Sequence, residues 1–171
     1  AYKELLPEWG VIGILRTGGG YLNGLGQDLR SSEQFQHSDT WLRGFEMQGI
    51  GPRDSRTGDS LGGRWYVHAN AEAEFPIFGL PRELGLSGAV FTDFGALWDA
   101  DSAITDCVVA GCGPATPATV QSNGFAPRMS AGFGVKWASP FGPIRADFAW
   151  PIVKETGDRT QFFRIGGGTR F

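Results

Sequence analysis

The chain has 171 residues, of which 41% are hydrophobic, 19% charged and 13% aromatic, with 27 glycines and a net charge of -3. Its mean hydropathy of -0.17, with no apolar run of about 18 residues, excludes a bundle of membrane helices. An acidic pI near 5.4 gives no footprint for nucleic acid. Low charge, many aromatics and dispersed glycine suit β-strands that bury one face each.

The chain opens Ala1-Tyr2-Lys3 with no Met and no apolar leader, and stops on Phe171 inside a patterned strand. This predicts a cut start and a native end. The run from Trp9 to Tyr21 reads as strand, with two faces that are not cleanly separated. From Arg64 to Ile77 the alternation is unbroken. Trp65, Val67, Ala69, Ala71, Ala73, Phe75 and Ile77 share one face, and Arg64, Tyr66, His68, Asn70, Glu72 and Glu74 the other. The next run, Leu84 to Trp98, sets Leu84, Leu86, Val90, Phe94 and Trp98 against Ser87, Asp93 and Gly95. Arg128 to Trp137 and Ile144 to Ile152 repeat the pattern on either side of a tight Phe141-Gly142-Pro143 turn. A last strand sets Phe163, Ile165, Thr169 and Phe171 against Arg164 and Arg170.

That makes about six strands of roughly ten residues or more, longer than the usual five or six. Tight turns near Gly79 and Gly142 alternate with long segments, about 23–63 and about 99–124. Strand length, aromatics near strand ends and this alternation of turns and loops predict an all-β, antiparallel transmembrane barrel, apolar face to lipid and polar face to the lumen. A soluble sandwich would point its apolar face into a core instead. About six strands cannot close a spanning barrel, because an open edge in hydrocarbon leaves backbone groups unpaired. The prediction is therefore the C-terminal part of a larger barrel.

Leu42-Arg43-Gly44-Phe45, in the longest loop, resembles the signature of the BamA family of outer-membrane insertases. In the same order follow Gly49-Ile50-Gly51-Pro52-Arg53-Asp54, Leu61-Gly62-Gly63, and Phe91-Thr92-Asp93-Phe94-Gly95-Ala96-Leu97-Trp98. Then come Ser139-Pro140-Phe141-Gly142-Pro143-Ile144-Arg145-Ala146-Asp147 and the ending Phe162-Phe163-Arg164-Ile165 with Gly168-Thr169-Arg170-Phe171. One departure is Gln36-His37-Ser38-Asp39-Thr40-Trp41, where the family often has Gly-Gly.

The resemblance implies a sixteen-stranded barrel of which this is about the last six strands, without the periplasmic POTRA domains of full-length members. It implies the central subunit of an outer-membrane assembly machine that folds and inserts client β-barrel proteins by seam opening and strand templating, without nucleotide, metal or other cofactor. Its partners would be those clients, accessory lipoproteins and outer-membrane lipid. The arginine loop would fold into the lumen, where Arg43 latches onto Glu74 and Asp93 on the barrel wall. Arginine suits this role because its planar fork pairs carboxylates bidentately. A hairpin centred near Leu80 would pair Glu74 with about Ser87 and leave Asp93 roughly 20 Å further along. Joint contact therefore requires a turn centred nearer Glu83, or a bulge. Phe163, Ile165, Thr169 and Phe171 would carry the signal by which the barrel is itself assembled. Gly166-Gly167-Gly168 would weaken that last strand.

Cys107 and Cys112, in an oxidising compartment, are expected to close a small disulfide ring. A two-cysteine zinc site would lack its remaining ligands. His37 and His68 have no ligand spacing around them, and Gly18-Gly19-Gly20 lacks the Lys-Ser/Thr of a phosphate loop. Arg145 and Asp147 are expected to pair with neighbouring strands, and Glu72 to be an ordinary lumen residue. No constellation for nucleophilic or metal-assisted catalysis occurs, so no enzyme is expected. Related translocation modules, two-partner secretion pores and, less well, a passive porin are the alternatives.

Overall fold

The computed structural model describes residues 2–26, 29, 32–37, 40–55, 57–101, 120–140 and 142–167. Cys107, Cys112, Thr169 and Phe171 lie outside them. Seven strands form one antiparallel sheet: β1 (Tyr2–Leu6), β2 (Val11–Tyr21), β4 (Trp65–Pro76), β5 (Leu86–Trp98), β7 (Arg128–Ser139), β8 (Gly142–Val153) and β9 (Phe163–Gly167). Their order in space is their order in the chain. Two further short strands, β3 (Arg53–Asp54) and β6 (Val120–Gln121), pair apart from this sheet.

The sheet has one strand more than expected. β1 was not legible because Tyr2-Lys3-Glu4-Leu5-Leu6 has no apolar–polar alternation, and all five residues are exposed. It joins β2 through a single 3-10 turn, Pro7–Trp9, closed by Gly10 at φ 67°. Trp9 therefore belongs to the turn, and β2 begins at Val11. Its mixed faces have a simple cause: Ile12 and Ile14 lie in register with Glu74 and Glu72, so apolar side chains sit on the polar side of the sheet as well.

β2, β4, β5, β7 and β8 run 11 to 13 residues, enough to cross a bilayer when tilted. Connections at one end (7–10, 77–85 and 140–141) are no longer than nine residues, whereas two of the three at the other (22–64 and 99–127, against 154–162) are far longer. The two faces show which solvent each meets. Val90 is 48% exposed, Phe133 46% and Ile165 67%, whereas Glu72 is 4% exposed, Asp93 1% and Arg145 6%. A water-soluble sheet hides its apolar face; this one presents it and covers its charges, as a lipid-facing wall does. Trp65 stacks between Tyr21 (4.2 Å) and Trp98 (6.0 Å) at the long-loop end, where a spanning barrel carries an aromatic girdle.

The charged face is covered by the connection between β2 and β4. Leu42, Phe45 and Ile50 of this loop pack with Leu97 of β5, flanked by Phe35, Trp41 and Tyr66. Leu97 pairs with Tyr66, which puts both on the inner face. The loop thus brings its own apolar core onto the polar side of the wall.

Candidate functional site

Register places the carboxylates. In the β4–β5 pair, Asn70 stands opposite Asp93, Glu72 opposite Phe91 and Glu74 opposite Ala89. The hairpin is centred between Leu80 and Glu83, because the 3-10 turn Arg82–Leu84 takes up residues before β5 starts. Asp93 and Glu72 are consequently diagonal neighbours on one face, within reach of a single long side chain.

Arg43 is that side chain. Its Nε and Nη2 donate to the two oxygens of Asp93, each at 2.7 Å. Its backbone N–H donates to Asp93 Oδ2 at 3.1 Å. Nη1 donates to Glu72 Oε2 at 2.6 Å. The guanidinium carbon lies 3.4 Å from the centre of the Phe91 ring, a cation–π contact in a site shut off from water. Burial works against the charge. The hydrogen bond and charge of Asp93 outweigh it against the nearby Arg145, Glu72 adds its own hydrogen bond, and the guanidinium is held above its ordinary pKa.

The expectation that Glu74 joins Asp93 in holding Arg43 is corrected. Glu72 takes that place, and Glu74 pairs with Lys136. Both glutamates face inward, but Glu74 lies two residues further from Asp93, towards the short-turn end.

Glu72 is also the hub of a wider network. Arg145 of β8 grips it with Nη1 on Oε1 and Nη2 on Oε2, both 2.9 Å, while its Nε contacts Asp147 at 2.7 Å. Lys136 of β7 approaches Glu72 Oε1 at 2.9 Å. β4 and β8 are separated by β5 and β7, about 14 Å in a flat sheet. The lack of side chains at Gly132 and Gly134 of β7 leaves room for Arg145 to reach across. A Cβ at Gly134 would lie 2.2 Å from Asp147 Oδ1, and one at Gly132 2.7 Å from Phe91 Cζ. Arg145 and Asp147 were expected to pair with neighbouring strands; instead they pair with each other, and Arg145 reaches past β7 and β5 to Glu72.

The rest of the motif has equally definite roles. Leu42 and Phe45 are buried in the loop core. Gly44 has φ 89°, and a Cβ there would meet the β-carbons of Ser130 at 3.3 Å and Ala149 at 3.4 Å. No other residue turns the chain there so close to the wall. Gly44→Ala should weaken loop seating by about 1–3 kcal/mol through backbone strain. Faster protease cleavage within 44–50 in isolated outer membranes would register it, and wild-type cleavage would refute it. At the loop's entry, His37 Nδ1 pairs with the Glu46 carbonyl at 2.9 Å, and Asn70 Nδ2 donates to the Trp41 carbonyl at 2.7 Å.

Of the expected terminal signal, Phe163 and Ile165 lie in β9 opposite Phe148 and Ala146, on the exposed apolar face. Phe91, Arg145 and Lys136 were missed as parts of the site. The signal for Phe91 was present, as an aromatic two residues from Asp93 and so on the same face.

Residues 1–171 match the Omp85 superfamily domain. The chain is 33% identical over 165 residues to the outer membrane protein assembly factor BamA of Neorickettsia risticii, covering 96% of this chain and 20% of that protein. It is 31% identical to the BamA of Neisseria meningitidis serogroup B, covering 76% of this chain and 17% of that one. It thus spans a fifth or less of these curated relatives. The crystal structure of BamA from Haemophilus ducreyi lacking POTRA domains 1–3 superimposes with a TM-score of 0.77 at 24% identity, over 96% of this chain and 32% of that one, and shows the same fold. A lipid-facing antiparallel wall, a lumen loop latched to it by arginine and a family match over the whole chain agree: this chain belongs to the Omp85 superfamily and forms part of an outer-membrane β-barrel.

Proposed function

We propose that this segment belongs to the central subunit of an outer-membrane assembly machine that folds and inserts client β-barrel proteins. The observation that carries the reading is Arg43, buried and fully engaged by Asp93 and Glu72, in a chain whose relatives are named outer membrane protein assembly factor. A passive pore gains little from a loop core and an ion-paired arginine packed onto its inner wall. An insertase gains a wall of defined curvature. The work is then done by strand edges and needs no cofactor, and accessory lipoproteins would be its partners outside the barrel. Gly166 and Gly167 in β9 leave that strand without side chains to pack there, which supports a strand that separates more readily than its neighbours.

Depletion of the native protein from growing cells is the test. Client barrels should accumulate in unfolded, heat-unmodifiable form within a few generations. Normal client assembly with loss of a secreted substrate or of a steady conductance would overturn the reading in favour of a secretion pore or porin.

A further inference from the structure

The arginine loop is held at a second place, by groups that make no hydrogen bond to Arg43, Asp93 or Glu72. Residues 44–49 lie antiparallel to residues 158–161 of the β8–β9 connection. Gln161 N–H donates to the Gly44 carbonyl (3.0 Å), Glu46 N–H to the Arg159 carbonyl (3.0 Å) and Arg159 N–H to the Gly49 carbonyl (2.9 Å). Phe45 and Thr160 face each other between the first two of these bonds, as in a short piece of antiparallel ladder. The fit is closest at Gly49, where a Cβ would lie 2.6 Å from the Arg159 carbonyl oxygen.

The connection is in turn fixed to the wall. Arg128 of β7 is completely buried. Its Nε and Nη2 meet the two oxygens of Asp158 at 3.0 and 3.1 Å, and its Nη1 donates to the Ala126 carbonyl at 2.6 Å. Asp158 Oδ2 also accepts the Glu155 N–H at 2.7 Å. A bidentate pair with so little access to water fixes position as well as charge. Two residues after Gln161 the chain enters β9, and the Phe162 carbonyl already accepts the Ala149 N–H at 2.9 Å.

We propose that Arg128 and Asp158 are positioning residues that hold 158–161 as a clasp on the arginine loop, so that the loop leaves the inner face only when the β8–β9 connection moves with it. The clasp makes loop release and displacement of the edge strand β9 one event. Its importance for client assembly rests on the insertase reading above; its existence does not.

The test uses the native protein in isolated outer membranes, with three readouts: protease cleavage within 44–50, client assembly, and heat-modifiable migration as the measure of folding. Asp158→Asn and Gly49→Ala should each raise loop cleavage at least tenfold while the folded barrel is retained. The exchange Arg128→Asp with Asp158→Arg should restore cleavage towards wild type, which a general loss of packing would not permit. With Cys107 and Cys112 replaced by Ser, oxidation of a Glu46→Cys, Arg159→Cys pair should slow client assembly at least tenfold, and reductant should reverse it. Wild-type cleavage in Gly49→Ala would overturn the clasp, and full assembly activity with the cross-link closed would overturn its coupling to client assembly. Normal assembly in an Arg43→Met protein would instead overturn the insertase reading and leave the cleavage result standing.

Discussion

Replacing Arg43 by Met should release the loop by about 3–5 kcal/mol, the cost of breaking a buried ion pair by removing one partner. The size follows from what remains. Asp93 loses both side-chain hydrogen bonds and keeps only the backbone N–H of residue 43, so that in the seated loop it is an almost wholly buried carboxylate without its cation. Glu72 keeps Arg145 and Lys136, so the wall survives while the loop comes free. Arg43→Lys should recover less than half of this, because an ammonium cannot bridge two carboxylates in a fork and stacks poorly on Phe91. Loop cleavage in outer membranes should rise by two orders of magnitude or more in Arg43→Met, with client assembly falling in parallel. An Arg43→Lys protein indistinguishable from wild type would mean that charge alone seats the loop.

A comparison of Glu72→Gln with Glu74→Gln should give the second large effect. Three cations, Arg43, Arg145 and Lys136, converge on Glu72, and its amide analogue would leave them with one negative charge fewer in a site closed to water. A destabilisation of about 3–5 kcal/mol is expected, again on the scale of broken buried pairs. Glu74 has one partner, Lys136, and its side chain is 22% exposed, so its loss should cost at most about 1 kcal/mol. Heat-modifiable migration against temperature in mild detergent would rank the two. Equal midpoints, or a greater loss in Glu74→Gln, would remove Glu72 from the centre of the network.

The same two glutamates show how far the residues alone could be read. Period-two alternation put both on the inner face and did so correctly, because a strand's side chains change sides at every step. It could not choose between them, since residues two apart on one face differ only in register. Register was decided by the 3-10 turn Arg82–Leu84, whose length no alternation records. Arg43 itself was legible from its motif, and Asp93 from its face and neighbours. Arg145 reaching Glu72 was not: that contact crosses two strands and depends on two bare positions in β7. β1 was missed for the opposite reason. Its residues pair through the backbone, while its side chains carry no pattern that a core would have imposed.

The network around Glu72 also sets a timetable. Its partners lie 29 residues before it and 73 residues after it in the chain, and Arg43 meets Asp93 across 50. Closing loops of that length costs chain entropy before any contact repays it. Whichever end of the sheet is laid down first, the carboxylate has its full set of partners only once β4, β5, β7 and β8 are all in place. Until then it is an anion on a half-built wall, and water must be able to reach it. The site can become dry only when the last of these strands is in place and the loop carrying Arg43 has seated on it.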